Sequence, residues 1–312
     1  MAQIRTFRPG DLDGMWAVES ASAAGEAGLW KASRAALEAY WRLGSAQQHD
    51  HLWVVEEGEQ VLAYGGLRAW HSPGWQQAEV VVHPAQRGRG LGQALLRQLI
   101  SAARQRGVIY LCAIAADSPP EGGAFLERQG FQPFVRRLHM RLQPPWALAA
   151  PDVPGFTVRV AGPHDYAALA QVNNAAYGTG ERVGHANAAG YQRFIEESGA
   201  EVRVAEEMPA GPVVGLCEVR RTEAALSDGP VATGHIGSLA VAPAYQGRGL
   251  GRRLLACGID LCRERGWPTV ELNVDRDNWP ALHLYESAGF RPVYAYTVYR
   301  LVLASRWPSP EA

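Results

Sequence analysis

The segment Val241-Ala242-Pro243-Ala244-Tyr245-Gln246-Gly247-Arg248-Gly249-Leu250-Gly251 has a partner in the same chain, Val82-His83-Pro84-Ala85-Gln86-Arg87-Gly88-Arg89-Gly90-Leu91-Gly92. Each copy reads as a strand end, a glycine-rich turn and the start of an apolar helix. Glycine admits positive φ and close backbone approach. The first N–H groups of the helix, with its dipole, suit an anionic phosphate. A chain carrying this phrase twice is constrained to be a duplicated domain with two anion sites of one design.

The spacing supports duplication over most of the chain. The interval of 159 residues from Val82 to Val241 also takes Pro84 to Pro243, Arg87 to Gln246, Gly92 to Gly251, Gly130 to Gly289 and Phe131 to Phe290. Near the starts the interval is 154, taking Arg5 to Arg159, Pro9 to Pro163 and Asp11 to Asp165. A length of 312 residues accommodates two domains of ordinary size, each with its own core. The expected division is residues 1–143, a proline-rich linker over 144–155 that reads as stiff, and residues 156–312.

In the second half, Thr157–Val160 reads as a strand and Asp165–Tyr177 as a helix. Glu201–Ala205 and Val213–Arg220 form a hairpin around Met208-Pro209-Ala210-Gly211, and His235–Val241 follows as a strand. Leu250, Leu254, Leu255, Ile259 and Cys262 recur at helical spacing over Leu250–Gly266. Val270–Val274, a short helix over Pro280–Ala288 capped by Gly289, and the strand Tyr294–Val302 complete the half. The implied fold class is α/β, a mixed sheet with helices, written twice.

Composition removes several function classes. The net charge of −1 gives no basic face for nucleic acid and no polybasic membrane anchor. Cys112, Cys217, Cys257 and Cys262 form no Cys-x-x-Cys pair, so no zinc site is expected and free thiols of a reducing compartment are. His49-Asp50-His51 lacks further ligands and reads as incidental. Without a signal-peptide core or an apolar run of membrane-spanning length, the expectation is a cytoplasmic protein without membrane association. Trp30, Trp41, Trp53, Trp70 and Trp75 suit a core, or a groove for an apolar substrate.

A second motif follows the turn: Asn273-Val274-Asp275-Arg276-Asp277-Asn278-Trp279-Pro280-Ala281-Leu282-His283-Leu284-Tyr285-Glu286-Ser287-Ala288-Gly289-Phe290. A strand, a Gln-x-x-Gly-x-Gly turn, a strand and then Asn-x-x-Ala-x-x-Leu-Tyr-x-x-x-Gly-Phe resemble the GNAT superfamily of acetyl-CoA-dependent N-acetyltransferases. The resemblance spans nearly all of Thr157–Leu303, and Ile4–Leu142 with the second motif degraded. It implies two tandem GNAT-like domains and direct attack of an amine on the acetyl thioester of acetyl-CoA, with no metal.

By the same resemblance, acetyl-CoA is held by Leu239, Ala240, Val241, Gln246, Gly247, Arg248, Gly249, Leu250, Gly251 and Arg252, with Asn278 on the pantetheine arm. A backbone N–H near Val241 holds the oxyanion. Tyr285 is the proton donor to the leaving thiolate, since a phenol (about 10) lies not far above a thiol (about 8.5) in pKa; a packing role is the alternative. For the general base the candidates are His235, Glu218 and a relaying water. Gly237 stands where many relatives have glutamate, and period-two alternation puts His235 and Gly237 on one strand face with Leu239 and Val241. Glu196-Glu197 read as a solvated helix end.

The first half keeps Val80, Val82, Arg87, Gly88, Arg89, Gly90, Leu91 and Gly92, so CoA binding there is expected to persist. It has Pro119 for Asn278, Leu126 for Tyr285 and Gln76 for His235. Leu126 has no proton to give, so this half reads as catalytically degenerate. The leading function is N-acetyl transfer to a small-molecule primary amine in the second domain. An acyl-CoA-binding regulatory module, a protein N-terminal or lysine acetyltransferase, and two active halves are the alternatives; oligomeric state is not specified.

Overall fold

A computed structural model describes residues 2–23, 31, 33–41, 51–69, 74–146, 148–178, 186–226 and 229–304. The chain divides into two compact units, Met1–Arg137 with Tyr294–Ala312, and Leu138–Val293. These differ from halves cut at the proline-rich segment in their closing strands: the strand that ends the first half, Gln132–Leu142, is divided between the two units, and the one that ends the second, Arg291–Val302, belongs largely to unit 1. The proline-rich segment also packs as part of unit 2. Val153 is buried, Trp146 and Leu148 lie on the unit 2 core, and Arg253 donates to the Pro151 carbonyl and the Asp152 carboxylate.

Unit 1 runs β1 (Gln3–Thr6), α1 (Leu12–Ala23), α2 (Arg34–Trp41), β2 (Leu52–Glu57), β3 (Gln60–Ala69), β4 (Trp75–Val82), α3 (Leu91–Gln105), β5 (Tyr110–Ala116) and α4 (Glu121–Arg128). The strand β6 (Gln132–Leu142) begins in this unit and continues into unit 2. Strands β1 to β4 are antiparallel neighbours, and β4 pairs with β5 in parallel. The chain's last strand, Arg291–Val302, lies antiparallel to β5. One sheet face is covered by α3 and α4 through Leu95, Leu96, Leu99 and Leu126; the other by α1 and α2 through Met15, Val18, Leu37 and Trp41. Trp41, Trp53 and Trp75 are core residues, whereas Trp30, Trp70, His49 and Asp50 lie outside the described residues.

Unit 2 repeats this plan with β7 (Phe156–Val160), α5 (Tyr166–Tyr177), α6 (Ala188–Ser198), β8 (Glu201–Glu207), β9 (Val213–Leu226), β10 (Gly229–Val241), α7 (Leu250–Glu264), β11 (Thr269–Asp275) and α8 (Trp279–Ser287); Arg291–Val302 is β12. Strands β7 to β10 are antiparallel neighbours, β10 and β11 are parallel, and β6 lies beside β11. The apolar stripe of α7 buries Leu254, Leu255, Ile259 and Cys262 on one face; α5 and α6 bury Leu169, Val172 and Tyr191 on the other. The β9–β10 hairpin extends to Leu226 and Gly229, beyond the strand limits expected from sequence. Residues 220–226 and 229–234 lack the apolar alternation that marks a strand, and it is the ladder with the neighbouring strand that makes them extended.

The same ion-pair knot closes the start of each unit. Arg159 donates to both carboxylate oxygens of Asp165, at 2.7 and 2.9 Å, and to Glu206 at 2.5 Å; the Gly162 N–H also donates to Asp165. In unit 1, Arg5 donates to both oxygens of Asp11 at 2.7 Å and to Glu56 at 2.5 Å, and the Arg8 N–H donates to Asp11. The Arg159 hydrogen bonds hold the Asp165 carboxyl below the ordinary aspartate range. Its stabilising contribution is therefore complete above the ordinary value, about pH 4, and is lost as pH falls through the depressed folded value. Asp165→Asn is expected to cost about 1–2 kcal/mol at neutral pH, reduced for the partly exposed Arg159. Urea unfolding of both proteins should show a gap that is constant down to about pH 4 and closes below it.

Candidate active site

Two features of β10 define the centre of unit 2. Its parallel pairing with β11 runs from Thr233↔Thr269 to Ile236↔Leu272 and then stops, although both strands continue. The backbone of β10 past Ile236 keeps β9 on one side and has no ladder partner on the other. Such groups need hydrogen bonds from a ligand or water. On the β9 side the register shifts between Ile236 and Ser238, so Gly237 is the extra residue of a β-bulge.

The bulge corrects the alternation expected from sequence. Ile236 packs in the α7-facing core together with Leu239 and Val241. His235 and Gly237 therefore do not share a face with Leu239 and Val241, because the inserted residue shifts the period by one. His235 instead points with Glu218 and Arg220 toward α5 and α6.

Gly237 is exposed, and a Cβ there would overlap the Glu218 carboxylate and lie 2.7 Å from Arg220 Nη1. The Glu218 carboxylate thus fills the space that a side chain at position 237 would occupy. Arg220 donates to Glu218 Oε1 at 3.1 Å, and Glu218 is only 6% exposed. Burial pushes the Glu218 carboxyl above its usual pKa, against the pull of Arg220. Burial pushes His235 the other way, well below the usual imidazole value, helped by the charges of Arg220 and His139.

Tyr285 on α8 is buried against Phe290, ring centroids 5.9 Å apart. Burial, with Tyr177 and Cys217 nearby, raises its phenol well above the ordinary range, so it carries its proton at any working pH. Tyr177, at the end of α5, donates its hydroxyl to the Leu239 carbonyl at 2.9 Å. The structure so brings Tyr285, Tyr177 and the open stretch of β10 together. Asn278 is the N-cap of α8: its Oδ1 accepts from the Ala281 N–H at 3.2 Å.

The glycine turn has the geometry of an anion cradle. Gly247 and Gly249 have φ of +75° and +87°, with no atom closer than 3.7 Å to an added Cβ, so glycine is required here for backbone conformation rather than space. Gln246 donates from Nε2 to the Val241 carbonyl at 3.0 Å and ties the turn to β10. The first N–H groups of α7 lack intrahelical acceptors. Arg248 and Arg252 also stand at this end, Arg252 donating to Ser287 Oγ at 3.1 Å. Cations at a helix N-terminus oppose its dipole, an arrangement that an anion between them reverses. The residues expected for acetyl-CoA fit a pyrophosphate on this ground. In unit 1, Gly88 and Gly90 have φ of +81° and +80°, and β4 leaves β5 after Gln77↔Cys112. That unit has no register shift in β4, and Leu126 is buried in its core.

A row of polar residues was not picked out from the sequence. On the side of the sheet facing α5 and α6, Arg141 donates to Glu271 at 2.7 Å, and His139 lies 3.3 Å from Glu271 and 3.0 Å from Asn273. Burial works against the Glu271 carboxylate, but His139 and Arg141 outweigh it and its pKa lies below the ordinary value. The available signal was the polar alternation Glu271, Asn273 among Val270, Leu272 and Val274, matched by His139, Arg141 among Met140 and Leu142. Among the described residues no group of three His, Cys, Asp or Glu side chains is placed to hold a metal, and no helix is long and apolar enough to cross a membrane. The four cysteines are free thiols, and Glu196 accepts from Gln192 on the solvated side of α6.

Comparison with known proteins defines the class. Residues 166–290 match the acetyltransferase (GNAT) family, and residues 48–133 the acetyltransferase (GNAT) domain. The chain belongs to the GNAT family of acetyl-CoA-dependent N-acetyltransferases, with two such domains in tandem. It is 33% identical over 268 residues to a mycothiol acetyltransferase of Tsukamurella paurometabola, covering 80% of this chain and 87% of that protein. It is 31% identical to one of Nocardia farcinica, covering 84% and 86%. A GCN5-related N-acetyltransferase from Sphaerobacter thermophilus has the same fold, with a TM-score of 0.78 at 20% identity, covering 97% of this chain and 96% of that one. A tandem GNAT protein from the clavulanic acid biosynthesis pathway gives 0.74 at 19%, covering 98% and 100%.

Gly237→Ala tests the geometry of the bulge. The added methyl displaces the Glu218–Arg220 pair, and acetyl transfer is expected to fall at least tenfold while the unfolding midpoint changes by only a few degrees. Steady-state kinetics alongside thermal unfolding checks this.

Proposed function

We propose that unit 2 transfers the acetyl group of acetyl-CoA to the primary amine of a small polar molecule, with Glu218 as general base and Tyr285 as general acid. The observation that carries this reading is the Glu218 carboxylate lying over the bulged Gly237, where β10 has lost its ladder partner. Acetyl-CoA supplies the thioester. The α7 N-terminus with Gly247, Arg248, Gly249 and Arg252 binds its pyrophosphate, and Asn278 and the open edge of β10 orient its pantetheine arm.

Glu218 takes a proton from the acceptor as nitrogen attacks the thioester carbon. A backbone N–H of the opened β10 stabilises the oxygen that gains charge. The carbon–sulfur bond breaks, and Tyr285 gives its proton to the departing sulfur. His235, pushed toward the neutral form, is a weak proton acceptor and orients the acceptor instead. Burial raises the proton affinity of the Glu218 carboxylate and lowers that of the His235 imidazole, and Glu218 is the one placed over Gly237.

The floor supplied by Glu218, Arg220, His235, Glu271, Arg141 and Asn273 offers charges and hydrogen bonds rather than apolar surface. That suits a polar amine, and the relatives are mycothiol acetyltransferases. Unit 1, with Leu126 and Pro119 in the corresponding places, is silent in this reading.

Tyr285→Phe is expected to lower kcat roughly 10²-fold or more with the KM for acetyl-CoA within a few fold. Equal loss of binding and turnover would return Tyr285 to a packing role, and unchanged turnover would move the chemistry to unit 1. For Glu218, protonation removes the base, so kcat falls as pH drops through its raised pKa. Glu218→Gln should lower kcat about 10²-fold and abolish this acid limb. A limb that survives in the variant excludes Glu218.

A further inference from the structure

Unit 1 contains the chain's one lysine among 30 lysine and arginine residues, Lys31. Its ammonium donates to Glu79 Oε1, lies 3.8 Å from Glu19 and stands 4.1 Å from the centroid of the Tyr40 ring. Tyr40 donates its hydroxyl to the other oxygen of Glu79 at 2.6 Å. Glu19 is wholly buried, accepts from the Lys31 backbone N–H at 2.7 Å and receives the Tyr64 hydroxyl. Two carboxylates and an aromatic face around one nitrogen form a site for a primary ammonium.

The position of this site in the fold is informative. Glu79 lies on β4 just past Gln77, the last residue paired with β5, and the interval of 159 residues makes it the counterpart of Ser238 in unit 2. Around it, Glu19 comes from α1, Tyr40 from α2 and Lys31 from the connection between them, on the face where unit 2 carries the acceptor floor of the proposed function. We infer that the acceptor position of unit 1 is a built primary-ammonium site occupied by Lys31, which closes this unit to external amines. Burial works against the ammonium, but Glu79, Tyr40 and Glu19 outweigh it and keep Lys31 protonated. A protonated amine has no lone pair for a thioester, so Lys31 is an occupant and not an acceptor.

This concerns unit 1 and is tested without reading acetyl transfer. Lys31→Ala deletes the atoms of n-propylammonium and takes the lysine cation from the buried Glu19 and the half-buried Glu79, so the unfolding midpoint should drop on the order of 10 °C. Millimolar n-propylammonium chloride should restore at least half of the loss and bind at one site by calorimetry. Tetramethylammonium and potassium chloride should do neither, and wild type should not respond. Lys31→Met, which fills the space without charge, should be destabilised and not rescued. An unchanged midpoint in Lys31→Ala, absent rescue, or equal rescue of wild type and Lys31→Met overturns the inference.

A second measurement needs no destabilised variant. With one lysine, native wild type treated with the N-hydroxysuccinimide ester of acetic acid should gain acetyl at its α-amino group alone, and at Lys31 only after unfolding. Labelling of Lys31 in the native protein as fast as in the unfolded one would equally overturn it.

Discussion

The parting of β10 from β11 after Ile236 and Leu272 is the constraint on which the rest of unit 2 depends. A parallel pair that continued to Val241 would satisfy the backbone of β10 from both sides and leave nothing to hold a ligand. Because pairing stops, a run of peptide groups in a largely buried sheet lacks a partner, and an extended ligand arm can supply one. Everything needed at such a ligand's ends then falls into place along the chain. The glycine turn lies at the end of β10, α8 follows β11, and the bulge sits at the point of parting.

Duplication separates what the frame requires from what the chemistry requires. Both units keep the arginine–aspartate–glutamate knot, the parted parallel strands and the two left-handed glycines of the turn. These are backbone necessities of the fold and of anion binding. The units differ at the positions proposed for proton transfer: Gly237 bulges while Ala78 lies in a regular ladder, and Tyr285 is replaced by Leu126. The frame has been retained in unit 1, and its acceptor side is packed with Lys31, Glu79 and Tyr40. The absence of a counterpart to Tyr285 and the packing around Lys31 both support the proposal that unit 1 is silent.

The sequence showed most clearly what local physics decides. The turn was legible because positive φ demands glycine, α7 because its apolar stripe has helical period, and the end of α8 because Gly289, at φ +96°, follows it. The bulge was not legible, since a bulged glycine looks like any strand glycine until the neighbouring ladder is known. His139 and Arg141 were missed because their partner Glu271 is 130 or more residues away in the chain. The membership of the closing strands was equally hidden, since β12 follows α8 directly in sequence whichever unit it joins.

The choice between Glu218 and His235 illustrates how burial decides chemistry. Both side chains are held on the same face, beside Arg220, in a site shielded from water. Shielding disfavours charge on either group, but the consequences are opposite in sign. For the carboxyl, disfavouring charge raises affinity for a proton and makes the anion a stronger base. For the imidazole, disfavouring the cation lowers proton affinity and makes it a weaker one. A glutamate on β10 itself would have needed space at position 237. Glycine there, with the carboxylate delivered from β9, puts the same functional group over the same backbone by another route.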